Sequence, residues 1–206
     1  MDTSDTRTDF FDRRAATWEA LCYPPETRAR IGPLVDDLGI RPGERILDMG
    51  TGTGILLPDL LRATGPGGRV FAFDLSRPMV REAKRKPEAA RAGLFQADAL
   101  RLPLRDAAMD RIVCFACFPH LPDPEAALAE MARALVPGGR LAIAHLMSRE
   151  ELSRHHGGCA DVAEDRLPPA ERMTELFRNA GFAPPRIADR PGRYLALAFR
   201  NGGGRR

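Results

Sequence analysis

An aspartate followed by three alternating glycines, Asp48-x-Gly50-x-Gly52-x-Gly54, is the stretch of this 206-residue sequence best suited to hold a small molecule. Glycine permits positive φ and has no Cβ, so a ligand can lie against bare backbone. A helix opening near Gly54 would turn its unpaired N–H groups and the positive end of its dipole into the same crevice. Spacing sorts the nucleotide readings. A dinucleotide fingerprint G-x-G-x-x-G starting at Gly50 needs glycine at position 55, where Ile55 stands, and this weakens that reading. A phosphate loop needs Lys and Ser/Thr after its last glycine, and neither follows Gly54. Asp74, twenty residues past Gly54, suits a ribose diol, from which a carboxylate can accept two hydrogen bonds.

These residues need strand ends to hold them. Arg45 to Asp48 gives an apolar run ending in the acid, and Arg69 to Asp74 (RVFAFD) reads as a second strand after the GPGG turn at 65–68. Ser76 N-caps a helix running to about Lys86, with Met79 near its start able to lie against a ligand. A third strand ends at Gln96, Ala97 and Asp98, so carboxylates close three successive strands, at the edge where ligands of open α/β sheets bind. Met109 to Phe118 predicts a fourth strand; Asp123 and Pro124 start a helix with a Leu128, Met131, Ala132 and Leu135 stripe; VPGGRLAIAH gives a turn and a fifth strand. Upstream, residues 9 to 22 predict an amphipathic helix carrying Phe10, Phe11 and Trp18, and 26 to 38 a second helix kinked at Pro33. Downstream, Ser148 and Glu151 predict a capping box for a short helix ending at His155, His156 and Gly157-Gly158. A helix over 169–180 and strands over 186–189 and 193–200 complete the chain before a GGGRR tail expected to be disordered.

The motif D-x-G-x-G-x-G resembles motif I of the class I S-adenosylmethionine (SAM) dependent methyltransferases. The succession D-R-I-V, then His120-Leu121-x-Asp123, then L-x-P-G-G-R-L resembles their ubiquinone/menaquinone-methyltransferase-like (type 11) group across most of the chain. The resemblance implies a single α/β domain over 1–206: a Rossmann-like, doubly wound, seven-stranded sheet of order 3-2-1-4-5-7-6, last strand antiparallel, with helices on both faces. Residues 1–40 would be a helical lid, 41–147 the SAM-binding core, 148–200 the acceptor side and 201–206 the tail. It implies SAM as cofactor, held by Asp48, Gly50, Thr51, Gly52, Gly54, Asp74, Leu75, Met79, Asp98, Ala99 and Phe115. Asp48 would meet the cofactor's ammonium directly or through water; Asp98 and the Ala99 N–H would meet the adenine. The expected activity is methyl transfer to a small-molecule acceptor.

Candidate general bases are His120, beyond the fourth strand, and His145, ending the fifth, each alternatively a hydrogen-bonded packing residue. His145, with His155 or His156, is expected to line the acceptor pocket, as base and orienting groups or as ligands to a metal or metalloid. Neighbours on a helix diverge by about 100°, so one of the pair should face inward. Phe11 and Trp18 are the aromatic candidates for the same pocket, the bland alternative being cover for a sheet edge. No resident metal is expected: Cys114 and Cys117 have C-x-x-C spacing, but residues three apart on a strand face opposite sides. Two other readings stay open, a SAM-binding relative without catalysis and an NAD-dependent oxidoreductase.

Composition limits the partners. The net charge is only +3, the lysines are Lys84 and Lys86, and no basic stripe interleaves with aromatics, which argues against nucleic acid. No apolar run approaches a membrane span, and MDTSDTRTDFF lacks the regions of a signal peptide, so a cytoplasmic protein with reduced cysteines is expected.

Overall fold

A computed structural model describes residues 3–158 and 160–202. Its strands form one seven-stranded sheet of order β3-β2-β1-β4-β5-β7-β6, as the resemblance implied, and the chain divides into two compact units, Met1–Asp98 and Ala99–Arg206.

In the first unit α1 (Thr3–Arg14), α2 (Trp18–Cys22), α3 (Pro25–Arg28) and α4 (Ile31–Asp37) precede β1 (Arg45–Met49). They are followed by α5 (Leu57–Thr64), β2 (Arg69–Asp74), α6 (Arg77–Lys84) and β3 (Ala92–Gln96). The three strands are parallel, with Asp48 opposite Ala72 and Asp74 opposite Gln96. β1 is buried on both faces, so it reads as a continuous apolar run rather than an alternating one. Ile31, Leu34 and Val35 of α4, Leu57, Leu60 and Leu61 of α5, and Met79, Val80 and Ala83 of α6 are buried beside Ile46, Leu47, Val70 and Phe73. Each fully buried Leu or Ile contributes about 1.5–3 kcal/mol.

Local chemistry moves three expected boundaries. The helix expected from 26 to 38 is two, broken by a turn at Ala29–Arg30, and Pro33 lies in the first turn of α4 instead of kinking a helix interior. Proline is tolerated there because first-turn N–H groups have no intrahelical partner. The helix after the glycines opens at Leu57, not at Gly54, because Gly54 N–H bonds the Thr51 carbonyl and Leu57 N–H the Gly54 carbonyl in successive turns. The N-terminal aromatic helix is interrupted by a 3-10 turn at Ala15–Thr17.

In the second unit β4 (Met109–Phe115) and β5 (Leu135–His145) are parallel, and β7 (Arg193–Phe199) runs antiparallel to both β5 and β6 (Arg186–Arg190). Three helices join them: α7 (Pro124–Ala134), α8 (Arg149–Gly157) and α9 (Ala170–Asn179). Asp123 caps α7 through Ala126 N–H, and Ser148 and Glu151 form the expected reciprocal capping box on α8. Ala127, Leu128 and Met131 of α7 and Met173, Leu176 and Phe177 of α9 are buried. β4 ends at Phe115, three residues before the expected Phe118: Ala116 adopts φ 50°, a left-handed conformation that breaks the extended run. The GGGRR tail lies outside the described residues beyond Gly202.

Candidate functional site

Asp48 is the penultimate residue of β1, with 1% of its surface exposed, and its Oδ2 accepts a 2.6 Å hydrogen bond from the Thr51 hydroxyl. Burial pushes its carboxyl up to about 7; the Thr51 bond pulls the other way and the neighbouring Asp74 charge adds to the rise. Gly50, Gly52 and Gly54 all have positive φ (66°, 55° and 79°), yet two of them are glycine for different reasons. A Cβ on Gly54 would stand 2.7 Å from Leu57 Cδ1 and 3.2 Å from Ala83 Cβ, so that position is fixed by packing. A Cβ on Gly52 would meet nothing nearer than Trp18 Nε1 at 4.0 Å, so that face of the turn is open.

Asp74 ends β2 and joins the turn: its Oδ2 accepts from Gly52 N–H at 2.8 Å and its Oδ1 from Ser76 N–H at 2.9 Å. Burial raises its carboxyl above the ordinary range, the N–H groups of Ser76, Gly52 and Leu75 oppose the rise, and Asp12 reinforces it. Met79 is buried, Leu75 is 46% exposed, Asp98 is exposed and Ala99 is buried.

Of the N-terminal aromatics, Trp18 stands at this turn, its Nε1 4.0 Å from where a Gly52 Cβ would lie. Phe10, Phe11 and Trp18 form an edge-to-face cluster with ring centroids 5.1–6.4 Å apart. The Ser76 hydroxyl donates to Asp12, and Glu19 accepts from the Thr53 hydroxyl at 2.7 Å while pairing with Arg28 and Lys86. Burial works against the Glu19 charge, but Lys86, Thr53 and Arg28 together hold its carboxyl below the usual range. Asp12, Glu19 and Lys86 carry no motif, and sequence reasoning missed them.

Within the second unit the histidines gather. His120 Nδ1 lies 2.7 Å from Asp165 Oδ2, and His156 Nδ1 lies 2.6 Å from the Asp165 carbonyl, with the His120 and His156 rings 5.1 Å apart. A carbonyl can only accept, so His156 carries its proton on Nδ1. His145, 3% exposed, ends β5 opposite Tyr194, with the rings 6.5 Å apart and edge-on. Burial, then the proximity of His120 and His156, lowers the His145 imidazole to about 3, so it is neutral throughout the physiological range. Burial likewise lowers His156, against its bond to Asp165. His145 Nε2 and the Tyr194 hydroxyl are buried without a hydrogen-bond partner among the described residues. His156 faces inward and His155 is exposed, the divergence expected of helix neighbours. Phe115 is buried at the end of β4. Asp165 was not singled out from the sequence: it is 45 residues from His120, in a polar stretch with no spacing signal.

Among the described residues no group of three or more His, Cys, Asp or Glu side chains is placed to hold a metal, and no helix is long and apolar enough to cross a membrane. Cys114 lies on β4 and Cys117 past its end.

Residues 47–143 match the methyltransferase domain family. The O-methyltransferase cnsE of Penicillium expansum is 33% identical, over 88% of this chain and 69% of its own. Demethylmenaquinone methyltransferase of Thermus thermophilus is 42% identical over 48% of this chain, and an uncharacterized transposon TN4556 protein of Streptomyces fradiae is 41% identical over 64%. This chain spans 46% and 36% of the lengths of those two relatives. In fold it is similar to phosphoethanolamine N-methyltransferase 2 of Haemonchus contortus, with TM-score 0.77 and 17% identity over 98% of this chain and 60% of that one. A SAM-dependent methyltransferase of Thermotoga maritima gives TM-score 0.73 and 18% identity over 94% and 99%. With a relative of one-third identity matched along most of both chains, and Ile55 where a dinucleotide turn needs glycine, this chain belongs to the class I SAM-dependent methyltransferase family.

Proposed function

We propose that this chain binds SAM at the glycine turn of its first unit and transfers the methyl group to a small-molecule acceptor. The observation that carries the reading is the Gly52–Asp74 pairing: an N–H of the turn locked onto the acid at the end of β2, beside a glycine whose Cβ direction is open. These residues fit the cofactor. A carboxylate has about four lone-pair sites, and the N–H groups of Gly52, Ser76 and Leu75 already approach Asp74, which leaves it acceptor capacity for a ribose hydroxyl. Asp48 is an acid for the methionine ammonium, Asp98 for the adenine amino group, and Met79 and Leu75 offer apolar contact.

When bound, SAM supplies an electrophilic methyl carbon on a sulfonium. The protein's part is to orient the acceptor toward it and exclude water, an effect of about 7–11 kcal/mol in well-aligned systems. Trp18 and Phe11, pinned over the turn through the Asp12–Ser76 and Glu19–Thr53 links, cover the cofactor side. Titration calorimetry with SAM, S-adenosylhomocysteine and NAD tests the binding: the first two should bind and NAD should not. Incubation of a cell extract with isotopically methyl-labelled SAM, read by mass spectrometry, tests transfer. Binding without any labelled product would leave a cofactor-binding, non-catalytic relative.

A further inference from the structure

We propose that the Trp18 indole N–H is a hydrogen-bond donor to the α-carboxylate of the bound cofactor, which makes α2 part of the cofactor site. The proposal rests on the SAM reading above and names a further residue of that same site. Three observations carry it, all of them within the first unit.

The first is where the donors of the glycine turn go. Thr51 N–H donates to the Phe73 carbonyl, Gly52 N–H to Asp74, and Gly54 N–H to the Thr51 carbonyl. The Thr51 hydroxyl donates to Asp48 and the Thr53 hydroxyl to Glu19, and a hydroxyl has one proton to give. These five donors are spent inside the protein. Asp48 and Asp74, ionised, only accept, which suits the ammonium and the ribose hydroxyls. The anionic group of the cofactor, the carboxylate of its methionine end, needs a donor from elsewhere.

The second is the indole itself. Trp18 Nε1 lies 4.0 Å from where a Cβ on Gly52 would stand, and nothing else comes within that distance of the position. An indole N–H can only donate, and among the described residues nothing accepts from this one. The ring is already held in place. Phe10 and Phe11 pack edge-on against it at 6.4 and 5.5 Å, and the next residue, Glu19, binds the Thr53 hydroxyl of the turn and pairs with Lys86 and Arg28. A donor fixed before the ligand arrives gives up little freedom on binding.

The third is the neighbourhood of Asp48. Tyr23 follows the last residue of α2, and its hydroxyl is raised above the ordinary range by burial and then by the charges of Cys22, Asp48 and Glu19. The end of α2 therefore lies within electrostatic reach of the acid assigned to the ammonium. Ammonium and carboxylate share one carbon of the cofactor, so a donor on this side of the turn meets the carboxylate, and the bond is charge-assisted.

Trp18 is the one tryptophan of the chain, so its indole N–H gives a single resonance that can be followed without acceptor or turnover. In the full chain labelled with 15N-tryptophan, S-adenosylhomocysteine should move that proton downfield. Decarboxylated S-adenosylhomocysteine, which keeps the adenosine, the thioether and the ammonium, should leave it near its free position. Trp18→Phe keeps an aromatic ring and removes the N–H. By calorimetry this variant should bind S-adenosylhomocysteine about tenfold more weakly, the low end for a hydrogen bond to a charged group, and should bind the decarboxylated ligand as the wild type does. An indole proton that moves equally with both ligands, or with neither, would overturn the proposal. So would a variant, folded by circular dichroism, that keeps native affinity for S-adenosylhomocysteine or loses both ligands equally. If Trp18→Phe does not fold, the wild-type resonance decides alone. Failure of the wild-type chain to bind SAM and S-adenosylhomocysteine at all would strike the SAM reading itself.

Discussion

The Asp74 carboxylate bonds the Gly52 N–H across 22 residues of sequence at 2.8 Å, so the acid that ends β2 also sets the conformation of the turn that follows β1. Asp74→Ala removes both the ribose acceptor and that tether. Affinity for S-adenosylhomocysteine should fall by about 1.5–3 kcal/mol, the worth of a hydrogen bond to a charged group. Titration calorimetry measures it, and unchanged affinity would remove Asp74 from the cofactor site.

Gly52 and Gly54 should separate binding from stability. Gly52→Val places a Cβ at φ 55° with its nearest neighbour, Trp18 Nε1, at ordinary contact distance of 4.0 Å, so the protein should fold with a strain cost of about 1–2 kcal/mol and lose cofactor binding. Gly54→Ala drives a methyl to 2.7 Å from Leu57 Cδ1 and should lower the melting temperature first. Thermal melts and calorimetry on the pair check this; a Gly52→Val variant with native affinity would contradict it.

The sequence announced what is encoded over short range. Ser76, Asp123 and the Ser148–Glu151 box cap helices within three residues, and all of them cap in the structure. Asp48 and Asp74 follow apolar runs whose strand character is local, and the His155–His156 divergence is helix geometry alone. Asp165 was invisible because its partner is 45 residues away, and what brings the two together is the path of the chain after α8. Tyr194 meets His145 only through the antiparallel register of β7 on β5, and Glu19 meets Lys86 through folding of the N-terminal helices. Gly54 was read as ligand space and is also packing space, a distinction that required knowing where α5 begins.

Stability should depend on pH with two limbs of opposite sign. Asp48 has its carboxyl raised from 3.8 to about 7, so its contribution is fully present below pH 4 and is lost as pH rises through 7. His145 has its imidazole lowered from 6.5 to about 3, so its contribution is present above pH 6.5 and is lost as pH falls toward 3. Asp48→Asn should therefore flatten the limb that falls between pH 4 and 7, and His145→Gln the acid limb between pH 6.5 and 3, each by on the order of a few kcal/mol at full titration. Urea unfolding at a series of pH values reads both, and a variant whose profile parallels the wild type would contradict its assignment.

Cofactor binding should also expel a proton. A cation brought beside Asp48 favours its ionised form, so at pH 6.5, where a carboxyl titrating near 7 is largely protonated, binding of SAM should release a fraction of a proton. Calorimetry in buffers of different ionisation enthalpy counts that proton. Asp48→Asn should release none, and equal release from the variant and the wild type would place the titrating group elsewhere.

The Tyr194 hydroxyl makes the last prediction. It is 1% exposed, with no hydrogen-bond partner among the described residues, on a residue whose ring is edge-on to His145. Burial pushes that hydroxyl well above its ordinary titration range, aided by Asp189 and opposed by Arg149, so it is a neutral donor in the folded protein. A buried polar group left unsatisfied costs about 1–3 kcal/mol, and removing it while keeping the ring recovers part of that cost. Tyr194→Phe should therefore stabilise the free protein by about 1 kcal/mol, a rise of roughly 2–4 °C in melting temperature for a chain of this size. A destabilised Tyr194→Phe would mean that the hydroxyl is already satisfied in the free protein.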